Sequence, residues 1–271
     1  MNSTDTFDAD ALGDLYARAR AHEDAGDREN AAALFRDCLA MDPEDHCGVA
    51  MRLAAFGLAA PKRAPAAYVA TLFGQHAETF DDVLVGRLGY DVPRLARTMV
   101  DAHASGPFRM LDLGCGTGLA GLAFAEIAPD ITGVDLAEEM LGLCDEREVY
   151  NDLYVADAVD FMAEWDEAPF DLIVATDVWP YLGDLVPFCT AAAGANALVE
   201  GGLLIASSER SEADWQVTTT QRFAHAPAYL AATLESAGFS LVASSPITVR
   251  YEEGVPVAGD LVLAQLTGAA R

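Results

Sequence analysis

Basic residues are scarce in this chain. Sixteen lysines and arginines stand against 43 aspartates and glutamates over 271 residues, a formal net charge of -27. A surface of that sign repels phosphate backbones, so nucleic acid is excluded as the expected substrate. Solubility explains the acidity more simply than a cationic partner does. Cysteine is sparse as well: Cys38, Cys47, Cys115, Cys144 and Cys189 include no C-x-x-C pair. Such a dispersed set predicts reduced thiols in a cytoplasm rather than a disulfide framework. No apolar run approaches the ~20 residues of a membrane helix. The polar, acidic start Met1–Asp10 lacks the positive residues and apolar core of a secretory signal. A soluble, cytoplasmic protein with no membrane contact is expected. Metal-ligand spacing of the H-E-x-x-H kind is missing, so no metal is expected either.

What the chain does have is Leu111-Asp-Leu-Gly-Cys-Gly-Thr-Gly-Leu119, an apolar strand running into three alternating glycines with a helical pattern beyond. Without a Cβ, Gly114, Gly116 and Gly118 permit a sharp turn and the close approach of a ligand. Such a turn falls at the carboxyl end of a strand, where doubly wound sheets bind nucleotides. Three further strand ends close on an acid: Ile131–Asp135, Leu153–Asp157 and Phe170–Asp177. A carboxylate about twenty residues after the glycine turn, here Asp135, suits the two hydroxyls of a ribose. A nicotinamide-binding reading is the nearest rival. Its fingerprint is G-x-G-x-x-G at a pyrophosphate, whereas this chain has G-x-G-x-G preceded by Asp112. An acid there opposes a pyrophosphate and suits a cationic ligand.

These strand ends, in this order, resemble those of the class I S-adenosylmethionine-dependent methyltransferases over roughly residues 105–267. The resemblance implies S-adenosylmethionine as cofactor, with the Gly114–Gly118 loop holding its methionine end. It implies that Asp135 takes the ribose hydroxyls, and that Asp157 and Ala158 meet the adenine. Asp112 would point toward the cofactor amino group, and Asp177 with Val178–Tyr181 would face the sulfonium and the acceptor. The implied cofactor set also takes in Cys115, Thr117, Leu136, Met140 and, from a preceding helix, Tyr68.

Alternation of strands and helices predicts an α/β fold, a doubly wound, mainly parallel, seven-stranded sheet with helices on both faces. By resemblance its last strand lies antiparallel at the edge. Three segments are expected: a helical segment over 1–60, a linker and helical lid over 61–104, and the catalytic domain over 105–271. In the first, Ala19, Gly26, Ala31, Phe35, Cys38 and Pro43 fall at the small, turn, aromatic and terminating positions of a tetratricopeptide repeat. One and a half repeats cannot stand alone. They either brace the catalytic domain, the reading preferred here, or recruit a protein partner, and they can equally seal a homodimer. Pro61–Pro65 reads as a linker. Beyond it, Tyr68, Val69, Leu72, Phe73, Ala77, Phe80 and Asp81 match the run Y-V-x-x-L-F-D-x-Y-A-x-x-F-D of repeat-bearing methyltransferases, where it forms a lid. Gly74 and His76 depart from that run, and a bend is expected at the glycine.

Methyl transfer from a sulfonium needs positioning more than acid–base chemistry, because the leaving group is neutral and activated. The missing catalytic dyad is compatible with that. Asp177, Tyr181 and His225 are the candidate catalytic residues. His225 belongs to Arg222-Phe-Ala-His225, similar to a run in the repeat-bearing methyltransferases, and reads equally well as a structural histidine. Glu209 is placed to pair with Arg222. Trp179-Pro180 lacks the asparagine-proline-proline-tyrosine form of amino-group methyltransferases. The expected acceptor is a small or carrier-bound molecule, a carboxylate held by Arg87, Arg222 and His225 being one option. An alternative is a scaffold that binds the cofactor and recruits a partner through its helices.

Overall fold

The computed structural model describes residues 8–194 and 196–268; Met1–Phe7, Ala195 and the last three residues lie outside the described residues. Three helices open the chain: α1 (Ala9–Asp24), α2 (Arg28–Met41) and α3 (Val49–Ala55). Each is started by an aspartate. Asp8 and Asp27 accept from the N–H groups of Ala11 and Asn30, and Asp45 accepts from Val49 and Ala50 at 2.6 and 2.8 Å. A side-chain oxygen there satisfies N–H groups that the first turn leaves free. Phe35 is fully buried between the helices with Ala19, Ala31 and Cys38. These are the small and aromatic positions singled out in the sequence.

The segment expected as a lid follows as α4 (Ala66–His76), a 3-10 turn (Ala77–Thr79) and a π-helical turn (Asp82–Arg87). The expected bend at Gly74 is not found: α4 runs through it and changes pitch after His76. A Cβ there would stand 2.6 Å from the Glu139 carboxylate, whose flexible side chain would have to move aside.

Then come α5 (Val92–Asp101), β1 (Arg109–Leu113), α6 (Leu119–Phe124), β2 (Asp130–Asp135), α7 (Glu138–Asp145), β3 (Asp152–Val155), α8 (Ala158–Glu164), β4 (Phe170–Ala175), α9 (Val186–Ala192), β5 (Leu198–Arg210), β6 (Trp215–Val217), β7 (Phe223–His225), α10 (Pro227–Ser236), β8 (Phe239–Glu252) and β9 (Val255–Leu266). Among the described residues the sheet has nine strands, not seven. Strands β1–β5 run parallel in the order β3-β2-β1-β4-β5. The last strand, β9, is antiparallel as expected but is not at the edge: it lies between β5 and β8. The two extra strands arise because β5 outruns β4. Its end, Glu209–Arg210, pairs with Ala224–His225 of β7, and β6 closes against β7. Gly201 takes a left-handed φ within β5, near a register shift between Leu198 and Leu203.

Successive strand residues face opposite layers. Ile173 and Ala175 pack with Trp179, Phe188 and Leu234 on one face. Leu172 and Val174 pack with Val92, Ala96, Val100 and Phe124 on the other. Both faces are apolar, as a parallel sheet covered by helices requires.

Candidate functional site

The carboxyl ends of β1, β2, β3 and β4 open into one cavity of about 980 Å³, counted to its open mouth. Its wall holds Gly114, Cys115, Gly116 and Thr117 after β1, then Asp135 and Leu136, Asp157 and Ala158, and Asp177 with Tyr181. Ten of the residues singled out in the sequence are thus brought together. The lid contributes Val69, Phe73, Phe80 and Leu84, and Tyr90 and Pro93 come from the start of α5. Phe73 meets Phe80 and Tyr181 edge-on, with ring centroids 5.7 and 5.4 Å apart.

The glycine loop is held by Asp135, which accepts from the N–H of Gly116 and of Ala137, each at 2.9 Å. Gly114 takes φ +62°, and a Cβ there would lie 2.7 Å from Val178 Cγ2. Gly118 does not reach the cavity. It allows Tyr150, Arg147 and Cys144 to pack against the loop's far side, where a Cβ would come within 3.3 Å of each.

Asp112 also stays outside the cavity. It is fully buried beneath the loop, where Tyr150 donates its hydroxyl to Oδ2 at 2.6 Å. Gly121 N–H donates to the same hydroxyl at 3.0 Å. Burial pushes the Asp112 carboxyl up to about 7, against the pull of the Tyr150 hydroxyl. Its Oδ1 has no hydrogen-bond partner among the described residues. As placed, this side chain does not line the cavity that a cofactor would enter. Tyr150, unremarked in the sequence, takes Asp112 instead, because Gly121 and Gly133 leave room for its ring.

His225 is likewise corrected. It is fully buried, Nε2 donates to the carbonyls of Leu182 and Gly183 at 2.8 and 3.1 Å, and Nδ1 lies 2.7 Å from Ser208 Oγ. Burial pushes its pKa down to about 4. A neutral imidazole with both nitrogens engaged fixes the Leu182–Gly183 turn and does not face an acceptor. Met140 is buried between α7 and the lid with Ala77 and Ala137. Tyr68 packs against Gly48 of the helical segment, whose Cβ would stand 2.5 Å from the ring. Neither lines the cavity.

Beneath the acceptor end runs an ion network. Arg222 donates to Asp177 Oδ1, to Glu209 Oε1 and to the Tyr181 hydroxyl. Glu209 also accepts from Arg250 at 2.8 Å, and Arg250 donates to Glu252. The pairing of Glu209 with Arg222 was expected; the extension to Arg250 was not. Burial raises the Asp177 carboxyl, while Arg222 and Arg250 oppose that rise. Asp177 itself takes φ +66°, a left-handed conformation uncommon outside glycine. The carboxylate-binding set expected from Arg87, Arg222 and His225 does not form. Arg222 is neutralised by two acids, His225 is enclosed, and Arg87 is exposed on the lid.

The residues fit S-adenosylmethionine. Strand-end acids suit the ribose hydroxyls and the positive sulfur and ammonium, and the glycine backbone offers a cradle that a Cβ at Gly114 would close. Among the described residues there is no group of three or more side chains able to hold a metal. No helix there is long and apolar enough to cross a membrane.

Fold and site resemble those of class I methyltransferases, and the comparisons point the same way. Residues 110–202 match the model of a methyltransferase domain family. The chain is 31% identical over 122 residues to a ubiquinone biosynthesis O-methyltransferase of Idiomarina loihiensis, covering 43% of this chain and 49% of that one. It is 27% identical over 123 residues to the protein of the same name from Burkholderia thailandensis, covering 44% and 52%. The chain thus spans about half the length of the curated relatives it matches. Among solved structures, it is similar in fold to 1,6-didemethyltoxoflavin-N1-methyltransferase of Burkholderia thailandensis, which was solved with 1,6-didemethyltoxoflavin and S-adenosylhomocysteine. The TM-score there is 0.54 at 23% identity, over 77% of this chain and 93% of that one. A [4+2]-cyclase shares the fold at TM-score 0.52 and 19% identity, over 64% and 80%.

Proposed function

We propose that the chain is an S-adenosylmethionine-dependent O-methyltransferase acting on a small, largely apolar acceptor held under the lid. One observation carries this reading: a single cavity joins the glycine loop, Asp135 and Asp157 to Asp177, Tyr181 and the aromatic lid residues Phe73 and Phe80. The named O-methyltransferase relatives support the choice of oxygen. The fold alone does not, since a cyclase shares it.

When bound, S-adenosylmethionine supplies an activated methyl group on a positive sulfur. The chain's own residues orient and enclose. Asp135 holds the glycine loop by two N–H groups and presents its carboxylate to the ribose. Asp157 and Ala158 face the adenine. Val69, Phe73, Phe80 and Leu84 cover the acceptor and exclude water. Asp177, ion-paired with Arg222, is the group placed to accept a proton from an acceptor hydroxyl. No cation free of an acid lines the cavity among the described residues, which favours an uncharged acceptor over a carboxylate. The helical segment serves as a brace: Met51 of α3 is fully buried against Ala64, Val69 and Phe223. A tetratricopeptide-like ancestry and a cytoplasmic setting with reduced thiols complete the reading.

Calorimetry with S-adenosylmethionine, S-adenosylhomocysteine and NAD tests the cofactor, and only the first two should bind. Labelled-donor assays on panels of phenols, carboxylic acids and amines test the acceptor. The Asp177→Asn variant should keep S-adenosylhomocysteine binding within a few-fold while losing roughly a hundredfold or more of the methylation rate. Methylation of amines alone would refute the assignment to oxygen.

A further inference from the structure

The segment ahead of α4, expected as a linker, lines the cavity through Arg63 and Ala64 and is fastened on two sides. On the acceptor side, the Lys62 carbonyl accepts from the N–H groups of Gly183 and Asp184 at 2.8 and 2.9 Å. Ala64 N–H donates to the Tyr181 carbonyl at 2.8 Å. On the nucleobase side, the Arg63 guanidinium donates to Asp157 Oδ2. The other oxygen of that acid, Oδ1, already accepts from the N–H groups of Val159 and Asp160 at 3.0 and 3.3 Å, starting α8. Both oxygens of Asp157 are therefore committed. Of these partners, Arg63 is the one able to leave without unwinding a helix, and its side chain is 43% exposed against 14% for Asp157. An amino group that reaches Asp157 from inside the cavity approaches Oδ2, the oxygen that Arg63 holds, and either shares it or displaces the guanidinium.

We propose that Arg63 gates recognition of the nucleobase: it holds Asp157 until the adenine amino group of the cofactor takes its place. The proposal rests on Asp157 being the acid that meets adenine. The exchange costs an ion pair and returns a hydrogen bond, so it tunes affinity rather than abolishing binding. It also selects the base, because only a ring carrying a donor at that position can replace the guanidinium. Cofactor entry frees the Arg63 side chain, while the backbone of its neighbours stays tied to Tyr181 and Asp184 at the acceptor end.

Calorimetry and stopped-flow binding of S-adenosylhomocysteine test this on the full chain. Arg63→Gln should bind about two- to fivefold tighter, the range expected for removing a partly exposed ion pair, and should associate faster. Arg63→Lys, which keeps the charge, should behave like the natural protein, so a disturbed strap is told apart from a lost pair. In an Asp157→Asn background the effect of Arg63→Gln should vanish. Raising salt should tighten binding to the natural protein more than to Arg63→Gln, since salt weakens the pair being displaced. Unchanged or weaker binding by Arg63→Gln overturns the gate and leaves Arg63 a strut or a direct cofactor contact. A natural protein that binds no S-adenosylhomocysteine at all overturns the cofactor reading instead.

Discussion

At the scale of single residues, burial decides what each ionisable group does. Asp112 and Asp135 both lie at β-strand carboxyl ends, yet Asp135 lines the cavity and Asp112 is sealed under the loop with Tyr150. Their sequence neighbourhoods did not separate them, because the ring that seals Asp112 comes from 38 residues further along the chain. The shifted Asp112 has a measurable consequence. Its folded value of about 7 stands above the ordinary ~3.9 of an unfolded chain. Between those values the folded protein keeps a proton that the unfolded chain has lost. Asp112 therefore favours the folded state fully below about pH 4, and that contribution is lost as pH rises to about 7. Asp112→Asn cannot ionise. Its melting temperature relative to the natural protein should rise between about pH 5 and pH 8, by a stability change on the order of 3 kcal/mol. A gap that stays flat across that range would show Asp112 ionising normally. His225 teaches the same lesson. Its run matched a family pattern, but only the pairing of β7 with the overhanging end of β5 shows it enclosed.

At the scale of elements, close approach sets the rules. The turn after β1 works because Gly114 adopts a left-handed φ beside Val178. Gly114→Ala should lose at least about tenfold in S-adenosylhomocysteine affinity, since it adds both a clash and roughly 1–2 kcal/mol of backbone strain. Pairing it with Val178→Ala should recover only the clash, and calorimetry of the double variant measures what remains. The helix bearing Met51 was legible as a helix in a segment read as a brace, but the sequence did not show which side chain makes the contact. Its buried side chain touches residues from the strap, the lid and β7. Met51→Ala should destabilise the protein by about 2–5 kcal/mol in denaturant unfolding, the usual range for emptying such a site. A loss below about 1 kcal/mol would mean that α3 rests on the domain without supporting it.

At the scale of the whole molecule, the excess of acids dominates. With a net charge of -27 the folded chain repels itself, and the internal ion pairs offset only part of that. The melting temperature should therefore rise as sodium chloride increases from about 0.05 M to about 0.5 M, where the screening length falls well below ~10 Å. A fall over that range would mean that attractive pairs such as Arg210–Asp260 outweigh the repulsion. The same negative surround favours a cationic donor and disfavours anionic acceptors at the cavity.

The sequence by itself determined the α/β class, the parallel core and most of the cavity wall. It could do so because glycines and strand-end acids act through local backbone geometry, and each strand carries its own carboxyl end. It also marked Phe73 and Phe80, which line the cavity. Only the tertiary structure decided which acids face the cavity, that β9 is flanked on both sides, and that the presumed linker is a strap with Arg63 on Asp157. Those outcomes depend on contacts between residues dozens of positions apart. Such contacts are fixed by packing and burial, which leave no periodic trace along the chain.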